Sequence, residues 1–214
     1  MSDIFQEVDE DLRRDNFAKL WARYGTYVII LAVVLVAATG ATVAWRQYQQ
    51  SLRVAEGNRF ATALDLVRQG KAKEAGEMFN NLAQDAPSRR AVLARFEAAA
   101  LVARSGDTQR AAADYEAIAA DSALDPAYRD LATLLAAQYG LATADPKAAI
   151  ERLAPLVSNE GPWQPSALEL TALAQLKAGD KTAARSSYQK LADELKAPQG
   201  LRTRAAEMAA SLAQ

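Results

Sequence analysis

Residues 69–87 read QGKAKEAGEMFNNLAQDAP. Gly70 is followed by Ala75, then by Phe79 four residues on and Leu82 three beyond that, with Pro87 near the close. This order describes a turn leading into a helix with one tightly packed face. Glycine adopts a left-handed conformation without steric penalty and so ends one helix. A small alanine lets the next helix lie close against the first, and a large side chain one turn further along the same face fills the space beside it.

The same order recurs. Residues 105–118, SGDTQRAAADYEAI, hold Gly106, Ala111, Tyr115 and Ile118; residues 178–191, AGDKTAARSSYQKL, hold Gly179, Ala184, Tyr188 and Leu191. Residues 144–156, ADPKAAIERLAPL, repeat it more loosely with Ala149, Leu153 and Leu156, and Ala144 stands where the turn glycine belongs. The anchors Ala75, Ala111, Ala149 and Ala184 are 36, 38 and 35 residues apart. A helical hairpin of this size cannot bury its apolar face alone, so such units must stack to make a core. Asp107 and Asp180 follow turn glycines, and Asp125 and Asp145 precede prolines, which suits N-caps with proline in the first turn. Gly200 and the stretch LRTRAAEMAASLAQ read as a final helix covering the last hairpin. No run alternates β-branched with polar residues, so the fold is expected to be all-α, an α-solenoid of three or four hairpins. The pattern resembles the tetratricopeptide repeat, with its small residue and aromatic four apart in the second helix and a period of roughly 34 residues. The spacings here are longer, and the Trp-Leu-Gly-Tyr signature of the first helix is missing.

Ahead of the repeats, RYGTYVIILAVVLVAATGATVAWR (residues 23–46) carries no charge between its terminal arginines. Its 22 uncharged residues rise about 33 Å as a helix, which matches a hydrocarbon core of about 30 Å. The leader of 23 residues holds six acids against four bases, unlike the short basic start of a secretory signal, so the segment is expected to stay as an anchor. Tyr24 and Tyr27 at one end, and Trp45 and Tyr48 at the other, suit the two interfaces. Counting only basic residues, Arg13, Arg14, Lys19 and Arg23 outnumber Arg46, Arg53 and Arg59, which favours a cytoplasmic N-terminus. The expected domains are a tail over 1–23, a transmembrane helix over 24–45 and the repeat domain over 46–214.

Composition narrows the chemistry. The chain of 214 residues is half apolar and has a net charge of −1, so it lacks the basic excess that meets nucleic-acid phosphates. Without cysteine or histidine it has no disulfide, thiol nucleophile, imidazole base or ordinary zinc site. Its carboxylates fall mainly at caps and on outward helix positions, so no catalytic, cofactor or metal residues are expected, and no small-molecule substrate. The tail acids Asp9, Glu10, Asp11 and Asp15 read as a solvated helix face in preference to a metal site.

The tail beginning MSDIFQEVDEDLRRD, the lead LWARYGTYVI into one span, and the tetratricopeptide-like array together resemble the ancillary SecYEG translocon subunit family, the YfgM-like membrane proteins of bacteria. The resemblance covers nearly the whole chain. It implies a single-pass protein of the bacterial inner membrane with a periplasmic repeat domain. It also implies protein partners: the SecYEG channel, and periplasmic chaperones or exported chains. An envelope-assembly or cell-division scaffold would use the same architecture.

For partner binding, the candidate residues on the first helices of the units are Phe60, Leu64, Val67, Phe96, Leu168 and Leu173. They form either an apolar groove for a peptide or partner helix, or core between helices. Trp163, between Pro162 and Pro165, is either an exposed hot spot or a lid on a neighbouring hairpin. Arg89, Arg90 and Arg95 suit either an acidic partner or a solvated first turn.

Overall fold

The computed structural model describes residues 3–84, 89–143 and 145–213, with side chains from Trp21 onward except that of Arg89. The tail acids and Ala144 therefore lie outside the described side chains, as does Pro87. Among the described residues every regular element is helical: α1 (Asp3–Arg68), α2 (Ala72–Gln84), α3 (Arg89–Arg104), α4 (Thr108–Ala119), α5 (Pro126–Gly140), α6 (Pro146–Ser158), α7 (Gln164–Lys177), α8 (Lys181–Asp193) and α9 (Gln199–Ser211). The chain divides into two compact units, one ending at Gly57 and one beginning at Asn58.

The first unit contains a helix long and apolar enough to cross a membrane. From Tyr27 through Val36 its large side chains are exposed, Val36 at 73%. That is the reverse of a soluble core helix and is what a lipid-facing surface requires. Two of its hydroxyls are satisfied within the helix: Thr39 Oγ1 donates to the Leu35 carbonyl at 2.7 Å and Thr42 Oγ1 to the Thr39 carbonyl at 2.8 Å. At one end the Trp45 and Tyr48 rings lie 6.3 Å apart, and at the other the Arg23 guanidinium sits 5.9 Å from the Tyr24 ring centre.

In the second unit, the end of α1 and α2 form the first hairpin, α3 and α4 the second, α5 and α6 the third, α7 and α8 the fourth, and α9 closes the array. The repeated sequence positions are its core. Ala75, Ala111 and Ala184 are fully buried and Ala149 is 5% exposed. The side chains four residues on, Phe79, Leu153, Tyr115 and Tyr188, and those three beyond, Leu82, Ile118, Leu156 and Leu191, are all buried too. The looser third unit therefore packs in the same register as the others.

The turns follow from backbone chemistry. Gly70, Gly106 and Gly179 have φ of 77°, 95° and 85°, in the left-handed region. Around Gly70 the Lys71 N–H reaches back to the Leu66 carbonyl and the Gly70 N–H to that of Val67, and Asp180 and Gly179 repeat this with Gln175 and Leu176. These paired bonds satisfy the last carbonyls of the first helix. All four expected aspartate caps form: Asp107 accepts from the Arg110 N–H at 3.0 Å, Asp125 from Ala127 at 2.9 Å, Asp145 from Lys147 at 3.0 Å and Asp180 from Ala183 at 2.8 Å. The third hairpin turns without a left-handed glycine. Instead Leu141 buries itself against Ala149 and Ala174, and the Lys177 ammonium from α7 donates to the Leu141 carbonyl.

Replacing Ala111 with Phe places a ring where no surface is exposed, and the expected loss of stability is roughly 1–3 kcal/mol. Denaturant unfolding followed by far-ultraviolet circular dichroism measures it; an unchanged midpoint would contradict the close approach at this position.

Candidate functional site

The seven candidate residues fall in different surroundings. Phe60 lies fifteen positions before its anchor Ala75, and Phe96 fifteen before Ala111. Each meets the aromatic four residues after that anchor: the Phe60 and Phe79 rings are 5.4 Å apart edge to face, and those of Phe96 and Tyr115 are 5.8 Å apart. Leu134 and Leu153 occupy the same two positions in the third unit and share one core cluster. Phe96, buried and also near Tyr128, thus acts as an internal lock between the two helices of its hairpin. Phe60 is half-buried and, with Leu64 and Val67, packs on the cluster that contains Ala63, Phe79 and Leu101.

The fourth unit breaks this pattern. Glu169 stands where the other units have Phe60, Phe96 and Leu134, and it accepts from Arg204 of α9 at 2.9 Å. Burial, with the Glu169 carboxylate adding to it, raises the pKa of Tyr188. At this position a polar tie from α7 to the closing helix takes the place of an apolar side chain, while Tyr188 packs with Ala172 and Leu168 of α7.

Trp163 precedes α7 and packs, partly buried, beside Val157 and Leu170 against the cluster of Leu134, Leu153 and Ala167. Its indole N–H is buried and has no partner among the described residues. Leu168 is half-buried against the cluster of Ala172, Tyr188 and Leu191. Leu173 is 42% exposed. It lies eleven positions before Ala184, and the equivalent residues are Leu64, Ala100 and Gln138, each exposed or partly so. This row of accessible first-helix positions is apolar at its two ends. Arg95 is committed elsewhere: its guanidinium meets Asp121 at 2.6 Å and holds that carboxyl below its usual range. Arg90 is part-buried.

On the side of the second helices, grooves recur wherever two of them flank a first helix. They measure about 630 Å³ between α2 and α4, about 340 Å³ between α4 and α6, and about 680 Å³ between α6 and α8. Sequence reading placed Leu168 with the other first-helix candidates; in the structure it lines the last groove, with Thr171, Gln175 and Ser187. Those three polar residues were missed. The available signal was weak: Thr171 stands thirteen before its anchor, where the second and third units have Ala98 and Ala136. Among the described residues no group of three or more acids is placed to hold a metal ion.

A family model described as a tetratricopeptide repeat-like domain matches residues 18–209, and the chain belongs to that family. Two similar solved structures are crystal structures described as nearly identical tetratricopeptide-like repeats of a putative kinesin light chain from Podosopora anserina, one of them a variant with a single substitution. Both are 17% identical, cover 72% of this chain and 83% of theirs, and superpose with TM-scores of 0.55 for the variant and 0.54 for the other. They share the fold. No curated protein matches the sequence. Together, the family and fold define a protein-interaction module.

Burial pushes the Tyr115 hydroxyl from 10.0 up to about 12, with Tyr139 and Glu97 adding to the rise, and the group donates to the Phe96 carbonyl at 3.3 Å. An unfolded tyrosine ionises near 10, so the folded state holds the extra proton between that value and about 12. The contribution of this hydroxyl is therefore present below pH 10 and lost as pH rises toward 12. Unfolding midpoints of the wild type and Tyr115→Phe, followed from about pH 8.5 to about 11.5, are expected to converge in the upper half of that range.

Proposed function

We propose that the chain is a single-pass anchor of the bacterial inner membrane whose repeats work in the periplasm beside the SecYEG translocon. In this reading residues 1–23 are a cytoplasmic tail, 24–45 cross the membrane and 46–214 receive partners. Those partners are the channel itself, together with periplasmic chaperones or the exported chains they help to fold.

One observation carries the reading: a helix with its apolar side chains exposed belongs to the same chain as an interaction fold of the tetratricopeptide family. The exposed segment calls for lipid, and the repeats call for a protein partner. The larger basic count before the span favours the N-terminus inside. The lead LWARYGTYVI and the order of parts support the translocon as the neighbour. The exposed Leu173 and half-buried Leu64 offer the apolar contacts of a protein-binding surface.

Protease treatment of spheroplasts carrying a C-terminally tagged full-length protein tests the placement. The tag is expected to be digested from outside while the membrane-bound protein keeps its full mass before treatment. A protected tag would remove the periplasmic role, and loss of about forty residues would identify a cleaved signal. Crosslinking in the same cells is expected to capture SecYEG or exported chains. Leu173→Glu should weaken that crosslink without moving the melting temperature, whereas capture of division or outer-membrane assembly proteins alone would favour the scaffold.

A further inference from the structure

We propose that Trp21, laid over Gly25 along α1, binds the phospholipid headgroup layer, so that the membrane interface reaches into the last residues of the tail. The proposal rests on the anchor reading above and deepens it by naming the residues that meet lipid at the N-terminal end of the span.

From Trp21 to Tyr48 every residue is exposed except Gly25, which is buried. The Trp21 ring covers it: a Cβ added at Gly25 would lie 3.2 Å from Trp21 Cε2 and 3.3 Å from Cδ2 and Nε1. Such an approach is closer than side chains ordinarily make, so glycine is what leaves room for the ring. Glycine weakens a helix interior relative to alanine, and here that cost has a local reason. Around Gly40, the other glycine of the apolar stretch, nothing lies within 4 Å of an added Cβ.

The ring leans toward the span. A helical side chain normally covers the turn N-terminal to its own Cα. Trp21 instead covers a residue four positions on, about 6 Å nearer the span at roughly 1.5 Å per residue. That brings the indole to the depth of Tyr24, where the charge-free stretch begins. At about 100° per residue, Trp21, Tyr24 and Tyr27 follow one another around α1 at steps of roughly 60°, with Arg23 just beyond Tyr27. These four side chains form a collar around much of the helix at one end of the span.

The chemistry of the collar selects its occupant. Trp21 is 60% exposed and Tyr27 70%, so protein leaves both rings largely uncovered. Indole and phenol rings pair an apolar body with a polar handle and prefer the headgroup level to water or hydrocarbon. The indole N–H is a donor only, and the ester carbonyls and phosphates of a phospholipid accept. Arg23, 5.9 Å from the Tyr24 ring centre, adds a cation for the phosphate. The collar is also continuous with the exposed apolar run from Tyr27 to Val36, so the layer bordering that lipid is the one the rings meet.

The test is tryptophan fluorescence of the full chain in vesicles of phosphatidylethanolamine and phosphatidylglycerol, with lipids brominated either near the acyl carbonyl or near the chain end. Trp45→Phe leaves Trp21 as the tryptophan at the span, and the double variant Trp21→Phe/Trp45→Phe gives the background from Trp163. The shallow bromines are expected to quench Trp21 at least about two-fold more than the deep ones. Gly25→Leu, made in the Trp45→Phe chain, strengthens the helix yet displaces the ring; it should remove about half of the shallow quenching and shift the emission to the red. A merely structural glycine would leave the ring at its depth or let it sink deeper. Gly40→Leu, with open space around it, should change neither reading. Equal shallow quenching with and without Gly25→Leu, or no quenching of Trp21 at all, would overturn the proposal. Trp45, read in Trp21→Phe, separates the cases: if it is quenched, the anchor stands without the collar, and if it is not, the anchor falls as well.

Discussion

The close approach of two helices at a buried alanine is the constraint on which the repeat unit depends. At Ala75, Ala111 and Ala184 there is no exposed surface left, so any larger side chain must push a hairpin apart. Once the backbones are that close, the residue four positions on is held over the adjoining helix. In three units it meets an apolar side chain fifteen positions before the anchor, which explains the Phe60–Phe79 and Phe96–Tyr115 ring pairs. The turn glycines and aspartate caps then fix where each helix stops and the next begins. Each cap contributes about 1 kcal/mol, less than the burial it positions.

Departures from the repeat are as informative as the repeat. The third turn lacks a left-handed glycine and is braced by Leu141 and by the Lys177 ammonium from the next hairpin. The fourth unit exchanges an apolar lock for Glu169, which reaches Arg204 of the closing helix. Both changes tie a unit to a neighbour across the stack, where the ordinary pattern ties its own two helices. Further cross-stack links add to this: Arg152 meets Glu116 at 2.6 Å between α6 and α4. The bridge between Lys196 and Glu160 is exposed on both sides and adds little.

A hydrophobic helix and a repeat array make different physical demands. The apolar helix has no protein core to cover it, and the repeats have no acid-base residue near neutral pH to run chemistry with. In the proposed role, this division of labour would hold an interaction surface at a membrane. The accessible row through Leu64 and Leu173 and the groove over α7 are two separate surfaces of the same stack.

Much of the architecture was legible because it is written in short-range rules. Glycine before a small residue, a large residue four later and aspartate beside a turn are local requirements of a packed hairpin, and each was found where the spacing placed it. The length of the uncharged stretch likewise follows from helix rise alone. The binding surface was less legible, because exposure depends on which face of a helix its neighbours cover. Phe96 and Leu173 look alike in sequence as apolar residues of first helices; Tyr115 and Tyr128 flank one, and the other stays 42% exposed. Thr171 carried no distinguishing mark in the sequence; in the fold its hydroxyl is buried without a hydrogen-bond partner among the described residues. The sequence by itself determined the hairpins, their register and the apolar span, since local geometry dictates them. Only the stacking of one hairpin on another decided which side chains became core and which remained available to a partner.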